Sequence, residues 1–509
     1  MTDATPETLT FPGLLARNRN AHGAKPAIVA ADRSITHAEL DHESRALAGR
    51  LAARGVGKGA RVGVLMPNGI EWAVIAAAIA RIGGVVVPLS TLLRPPELGA
   101  QLQVAGVTHL VLVRGFRGRS YVDDLEAVTP SLPALRETWL ADALPEDAVD
   151  DALVRALEER VQPADDLVVL FTSGSRGAPK GTIHTHGGAL HAVASGLPAR
   201  CVGPDDRLYI PMPFFWTGGL ASGLLTALVA GATLLTEATP EPEQTLALLE
   251  RERATLFRGW PDQAAALAAH PNFAAANLSS LGPASLSSVL PKEQRAAPGA
   301  RANLFGMTET FGPYCGARLD VDMPAGKHGS CGKPFAGVEV RVVDPESRAV
   351  LRPGEVGEIC LRGRNVMRGI CGRTRDETFD ADGFYPSGDL GRLDADGYLW
   401  YHGRRDDMFK VKGATVYPSE VEAALRGIDG VRQAHVTNVP GAVDAVGALV
   451  VSTRTRDDLV AAARDRLSAF KVPTYWIVTD SVDDVPLTPT AKVDKLALQA
   501  LLQREESLR

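Results

Sequence analysis

The chain is poor in cysteine: Cys201, Cys315, Cys331, Cys360 and Cys371 are the only five in 509 residues, and no two form a Cys-x-x-Cys pair. An odd, scattered set fits neither a disulfide framework nor a cysteine zinc site, and reads as reduced thiols of a cytoplasmic protein. A basic surplus is also missing. Lys+Arg 54 against Asp+Glu 60 leaves a net charge of −6, so no nucleic-acid partner is expected. Long apolar runs are absent too. The most apolar stretch, Trp72 to Leu89, is broken by Arg81 and Gly83-Gly84 and falls short of the roughly 20 uninterrupted residues of a span. The start carries Asp3, Pro6 and Glu7 instead of a basic-then-apolar signal pattern, so neither a leader nor a membrane anchor is expected. What remains, 45% hydrophobic and 22% charged, is the composition of an ordinary folded protein. Its length exceeds what one core can organise.

Helical and extended patterns alternate from Ile35 onward. Apolar residues recur at helical spacing over Ala38 to Ala53, Glu71 to Ile82 and Pro96 to Val104, while Arg61 to Met66, Val85 to Leu89 and His109 to Val113 are short apolar strands. Continuous apolar strands alternating with helices predict a parallel sheet covered on both faces. Thr236 to Gln244 reads as a polar loop feeding a helix. Asp394 to Gly397 reads as a tight turn between strands, and the charged run Arg404-Arg405-Asp406-Asp407 as a break. Beyond it a helix over Ser419 to Arg426, a strand over Ala448 to Ser452 and a helix over Arg456 to Ser468 make a second, small unit. The expected organisation is a large N-terminal domain over 1–403, a hinge at 404–407 and a C-terminal domain over 408–509.

One segment points to chemistry. The buried strand Leu167 to Phe171 runs into Thr172-Ser173-Gly174-Ser175-Arg176-Gly177-Ala178-Pro179-Lys180-Gly181. Glycines let backbone N–H groups approach an anion, hydroxyls donate further bonds, and lysine supplies charge. No Gly-Lys-Ser/Thr triplet closes the run, so it is not the P-loop of strand–loop–helix ATPases. A flexible surface loop would explain the glycine and serine, but less well the cations directly behind a buried strand.

Six strings in order then resemble the adenylate-forming superfamily of acyl-CoA synthetases, luciferases and peptide-synthetase adenylation domains. They are the segment above, Leu304-Phe305-Gly306-Met307-Thr308-Glu309, Tyr385-Pro386-Ser387-Gly388-Asp389, Gly403 to Asp407, Lys410-Val411-Lys412-Gly413, and Pro486 to Lys492. The resemblance runs from about Ser34 to Leu501 and is closest to the acyl-CoA synthetases. It implies an α/β fold, with a large N-terminal domain of packed α/β sheets and a small mobile C-terminal α+β lid.

It also implies a reaction: ATP and Mg²⁺ convert a carboxylic acid to an acyl-adenylate, which passes to CoA. Thr172, Ser173, Gly174, Ser175, Gly177 and Lys180 would cradle the phosphates. Lys492 would bridge carboxylate and α-phosphate, Thr308 would touch the α-phosphate, and Glu309 would hold the Mg²⁺. Asp389 and Arg404 would grip the ribose, and Phe305, where the family usually has tyrosine, would stack on adenine or belong to the core. Asp406 matches the hinge aspartate and Gly413 the small residue beside the pantetheine tunnel, while Lys410 would serve the second conformation. Surface solvation is the competing explanation for Lys492, Lys410 and Lys412.

Phe215 and Trp216, in Pro213 to Gly219, would border the acyl pocket together with Gly282 and Gly306. Trp260, Phe311 and Tyr314 either add bulk there or form core. Trp216 cannot pair with an ammonium, which disfavours free α-amino acids and leaves aromatic, alicyclic or short-to-medium acyl acids open. The chain departs from the family at Arg176 (usually threonine), Pro283 (usually glycine) and Ala491 (usually glycine). An amine, another small nucleophile or a separate carrier protein stays open as acceptor in place of CoA, as do a homodimer and a non-catalytic nucleotide-binding role. Acetylation of Lys492 would erase the charge adenylation needs.

Overall fold

The computed structural model describes residues 10–507 except 32, 173–178, 408, 412–413, 441–444, 468–470 and 489–491. The chain divides into two compact units, Met1–Glu339 with Leu361–Tyr385, and Val340–Cys360 with Pro386–Arg509.

The first unit is built in layers. Its seven-stranded sheet runs, edge to edge, Gly369–Ile370, Lys180–Thr185, Asp166–Thr172, Val85–Pro88, Arg61–Leu65, His109–Leu112 and Glu137–Leu140. The five strands from Asp166–Thr172 onward are parallel. The parallel sheet read from the sequence therefore holds for these five, but Lys180–Thr185 and Gly369–Ile370 add on antiparallel at one edge. The polar mixture Lys-Gly-Thr-Ile-His-Thr of that sixth strand hides it from an apolar-run reading. A five-stranded sheet, Leu256–Phe257, Arg207–Tyr209, Thr233–Leu235, Pro26–Val29 and Ser34–Thr36, forms the second layer.

Helices Phe11–His22, His37–Ala53, Ile70–Arg81 and His186–Arg200 share one apolar core with residues of both sheets, including Val64, Val168, Ile28 and Leu234. Separate cores lie on the far faces, one holding Leu98 and Tyr121, the other Leu246 and Leu267. Helix His37–Ala53 starts where the sequence offers a reciprocal cap: the Thr36 hydroxyl accepts from Glu39 N and the Glu39 carboxylate from Thr36 N. Every residue of Ile70–Arg81 but Glu71 is buried, and apart from Glu71 and Arg81 the helix is apolar on all sides.

Arg81, which interrupts the apolar run in the sequence, is buried at 0% exposure. Its Nη2 lies 2.7 Å from Asp41 Oδ1 and its Nε 2.6 Å from Glu158 Oε1, while Nη1 donates to the Asp41 carbonyl and to Ser44 Oγ. Three helices, His37–Ala53, Ile70–Arg81 and Asp151–Glu159, are thereby tied to one guanidinium. Burial alone would raise the Asp41 carboxyl, but the bonds and charge of Arg81 bring it below its ordinary value. The polar loop expected from Thr236 likewise begins inside the protein. Thr236 and Glu237 are buried, and the Glu237 carboxylate accepts from Tyr209 Oη and Thr245 Oγ1, both at 2.7 Å.

The second unit opens with a four-stranded sheet in the order Val338–Val343, Gly357–Gly363, Tyr385–Leu393, Leu399–Arg404. The turn expected at Asp394 to Gly397 is present: Asp394 Oδ1 accepts from the N–H groups of Asp396 and Tyr398, both at 3.0 Å, and Gly397 takes φ 79°. A hairpin of Phe409–Val411 with Ala414–Val416 follows, then helix Pro418–Arg426 and a sheet of Val431–Val439, Ala445–Ser452 and Tyr475–Thr479. Helices Pro418–Arg426 and Arg456–Arg464 contribute to one core, with Val436 and Val450, and helix Lys495–Ser507 to another, with Leu449 and Val451. Among the described residues no helix is long and apolar enough to cross a membrane.

Removing the Arg81 side chain leaves Asp41 short of its main counter-charge in a buried setting. Arg81→Leu is expected to cost about 3–5 kcal/mol in urea denaturation. Combined with Asp41→Asn it should cost clearly less than the sum of the two single changes. Strict additivity would show that the pair is not coupled.

Candidate active site

Thr172 closes one strand and Lys180 opens the next, and the two are register partners in the antiparallel pair. The glycine-rich segment therefore joins two strands of one sheet, unlike the strand-to-helix connection of a P-loop. Ser173, Gly174, Ser175 and Gly177, with Arg176, lie outside the described residues.

Lys180 points to a buried carboxylate. Its Nζ lies 2.5 Å from Glu309 Oε1 and donates to Tyr385 Oη at 2.7 Å; Tyr385 Oη donates in turn to Glu309 Oε1 at 3.1 Å. Glu309, 5% exposed, sits on the single helical turn Thr308–Thr310, and its carbonyl accepts from Met367 N at 2.7 Å. Both side-chain bonds fall on Oε1.

The turn is held from below by His184, whose Nε2 lies 2.8 Å from the Thr308 carbonyl. A carbonyl only accepts, so Nε2 carries the proton. Burial pushes this imidazole down to about 4, against the opposing pull of the Thr308 carbonyl and Glu309, so it is neutral near pH 7. Thr308 Oγ1 itself accepts from Thr217 Oγ1 at 3.2 Å.

Gly306 belongs to strand Phe305–Met307, where a Cβ would collide with the Gly312 carbonyl and Pro313 Cα. Glycine lets the strand Gly312–Gly316 come this close. Phe305 is half-buried, its ring 5.6 Å from Tyr314 in an edge contact.

The aromatic motif sorts itself by depth. Phe214 is core, edge-on to Trp72 at 5.3 Å, and Phe215 is 6% exposed. Trp216 is half-buried and stands edge-on between Phe215 at 5.2 Å and Trp260 at 5.7 Å. Trp260 is 39% exposed, which makes it an open aromatic face. Phe311 and Tyr314 are both 0% exposed and belong to the core, so they add no open bulk to a pocket.

Asn68 fixes the motif, donating to the Met212 carbonyl at 2.9 Å and accepting from Phe214 N at 2.7 Å. Behind Trp216 the helical turn Thr217–Gly219 continues through a π-helical stretch, Leu220–Leu225, into Thr226–Ala230; such stretches concentrate at functional sites. Gly282 donates its N–H to the Thr255 carbonyl at 2.7 Å, and Pro283 beside it is exposed, so the missing proline N–H leaves no buried gap.

In the second unit Asp389 is buried. Its Oδ1 lies 2.8 Å from Arg404 Nη1, and the two residues are register partners. The buried Glu358 accepts from Gly388 N at 3.2 Å and pairs with Arg405 at 3.1 Å and with Arg348. Asp406 lies in the turn Arg405–Asp407 and Lys410 in strand Phe409–Val411, while Gly413 and Ala491 are outside the described residues. Lys492 is exposed; its carbonyl accepts from Thr488 N at 2.7 Å and its N–H donates to Thr488 Oγ1 at 3.2 Å, closing a turn.

The sequence reading thus missed Tyr385, His184, Thr217, Asn68 and Glu358 as supporting residues. Tyr385 and Thr217 stood inside recognised strings, and Asn68 beside the Pro67 that ends a strand. Nothing in the local sequence singled out His184 or Glu358.

Among the described residues no cluster of three or more His, Cys, Asp or Glu could cage a metal. Glu309 offers a carboxylate beside Lys180 at the end of the loop, which suits Mg²⁺, an ion commonly held by one or two carboxylates plus substrate phosphates.

The sequence pattern of the family described as AMP-binding enzyme matches residues 15–371. The chain is 33% identical to a 3-(7a-methyl-1,5-dioxo-octahydro-1H-inden-4-yl)propanoyl:CoA ligase of Mycobacterium tuberculosis, over 97% of this chain and 99% of that protein. It is 33% identical to a feruloyl-CoA synthase of an Amycolatopsis species, over 91% and 93%. Among solved structures, ATP-bound MatB from Rhodopseudomonas palustris superposes with a TM-score of 0.80 at 26% identity, over 96% and 98%. The chain belongs to the AMP-binding enzyme family, among acyl-CoA synthetases and ligases.

Proposed function

We propose that this enzyme is an AMP-forming acyl-CoA ligase. An oxygen of the substrate carboxylate attacks the α-phosphorus of ATP, the bond to pyrophosphate breaks, and an acyl-adenylate remains. The thiol of CoA then attacks the acyl carbon, and AMP leaves. The observation that carries this reading is the meeting of Lys180 and Glu309 where the glycine-rich segment begins and ends. Their pairing supports a site that handles a polyanion with a cation and a carboxylate within reach. The names of the relatives support CoA as acceptor.

Thr172, Ser173, Gly174, Ser175, Gly177 and Lys180 receive the outer phosphates, and Thr308 the α-phosphate. Glu309 would hold Mg²⁺, which supplies neutralisation of phosphate charge when bound. Phe305 offers its ring to adenine, and Asp389 with Arg404 receives the ribose. Lys492 brings a positive charge to the two approaching anions, and its exposure supports that use. Residues 404–407, with Asp406, form the hinge between the adenylating and thioester-forming arrangements; Lys410 and Gly413 serve the second, beside the CoA arm. The acyl group packs on Phe215, Trp216 and Trp260, near Gly282 and Gly306. Trp216 offers no carboxylate for an ammonium, and both named relatives act on ring-bearing acyl groups. These two points favour a ring-bearing acid over an amino acid. Five free cysteines support work in the cytoplasm.

Mass spectrometry of products from the protein with ATP, Mg²⁺ and a panel of carboxylic acids should find acyl-AMP without CoA and acyl-CoA with it. Acyl-AMP that persists in the presence of CoA would point to another acceptor. Lys492→Ala should lower adenylation, read as pyrophosphate release, by about 10²–10³, as for loss of one transition-state donor. Unchanged release would remove Lys492 from the first step. Asp406→Pro should keep acyl-adenylate formation and lose thioester formation; equal loss of both would speak against a hinge there.

A further inference from the structure

Arg200 ends helix His186–Arg200 and is 4% exposed. Its Nη1 donates to the Val193 carbonyl at 3.1 Å, but its buried Nε and Nη2 have no hydrogen-bond partner. No carboxylate pairs with it among the described residues. The charge that acts on it is another cation, Arg258, whose Nη2 donates to the Arg200 carbonyl at 2.6 Å. Burial first, and then Arg258, push the Arg200 guanidinium down to about 10. The same protein shows what a structural buried arginine looks like: Arg81 has a carboxylate on each side. A guanidinium buried without a counter-charge is a standing cost unless something anionic arrives.

The free donors are chemically informative. Nε–H and Nη2–H lie along one edge of the guanidinium, the fork that meets both oxygens of a carboxylate. Their location is informative as well. A Cβ on Gly312 would lie 3.8 Å from Arg200 Nη2, 3.8 Å from Thr217 Cγ2 and 3.8 Å from Ala221 Cβ, so Nη2 and Thr217 flank the same spot. Thr217 follows Trp216 and donates to Thr308 Oγ1, and Gly312 is three residues beyond Glu309. The unpartnered fork therefore stands at the junction of the aromatic wall and the Thr308–Glu309 turn.

We infer that Arg200 receives a second carboxylate on the acyl substrate, so that the enzyme activates one carboxylate of a dicarboxylic acid while this fork holds the other. The inference rests on the acyl-CoA ligase reading above. It narrows the substrate to acids whose body lies along Phe215 and Trp216 and whose far end is anionic.

The test compares dicarboxylic acids with monocarboxylic acids of the same skeleton, aliphatic and aromatic, by kcat/KM for pyrophosphate release. The unmodified enzyme should favour the diacid by about 10–100-fold, the worth of hydrogen bonds to a charged group. In Arg200→Met that ratio should collapse to near unity, and Arg200→Lys should restore part of it. Without ligand, Arg200→Met should melt no lower than the parent, because it removes an unpaired buried charge. In the parent, the preferred diacid without ATP should raise the melting temperature and its monoacid partner should not.

A parent that prefers monoacids, or an Arg200→Met variant that loses both classes in equal proportion, overturns the assignment. So does a melting temperature that responds to neither acid. Pyrophosphate from no acid of either class would instead count against the ligase reading, and the melting comparison would still decide the role of Arg200.

Discussion

Burying Glu309 is the constraint around which the first unit's site is organised. A carboxylate at 5% exposure needs a cation and hydrogen bonds, and these come from distant parts of the chain. Lys180 brings the charge, Tyr385 a hydroxyl, and Met367 N occupies the carbonyl of the same residue. Lys180 in turn is placed by its register with Thr172, at the seam where the sheet turns antiparallel. The contact that neutralises Glu309 thus fixes both ends of the glycine-rich segment relative to the Thr308–Thr310 turn. The neutral His184 braces that turn without adding a charge that would compete for Glu309.

The aromatic segment Pro213 to Gly219, proposed above to border the acyl group, is organised by a different means, backbone held by side chains and packing. Asn68 grips the chain on both sides of Pro213, and Gly219 carries no Cβ to strike the Pro213 carbonyl. The segment that bears Phe215 and Trp216 is therefore rigid where it leaves the sheet. Rigid aromatic rings offer contact area at small entropic cost, which suits the acyl-binding use proposed for Phe215 and Trp216.

Much of this was legible in the sequence, for identifiable reasons. Apart from Arg61 and His109 at their starts, the strands at 61–65, 85–88 and 109–112 are apolar because both faces are covered, and that run is visible in one dimension. The strand Lys180–Thr185 was not, since it lies second from the edge, covered only by the two-residue strand Gly369–Ile370, and its sequence is a polar mixture. Arg81 looked like a break because a charge can be buried only with partners, and Asp41 and Glu158 are remote in sequence. The motifs singled out Lys180, Glu309, Asp389 and Lys492 as candidates, and of these the structure brings Lys180 and Glu309 together. They could not announce that Tyr385 bonds Glu309 or that Glu358 gathers two arginines, because those facts exist only after folding. Phe311 and Tyr314 were ambiguous for the same reason, and their complete burial assigns them to the core.

The division of the chain has a consequence for biosynthesis. The first unit is not finished at Glu339. The chain leaves it, returns for Leu361–Tyr385, and leaves again. That return segment supplies the edge strand Gly369–Ile370 and the hydroxyl of Tyr385. During translation the large unit therefore stays one edge strand and one site tyrosine short until residue 385 has cleared the ribosome. The open edge of Lys180–Thr185 is left to be guarded meanwhile by its own polar residues. A nascent chain halted near residue 340 would lack both the edge strand and the hydroxyl that Lys180 and Glu309 share.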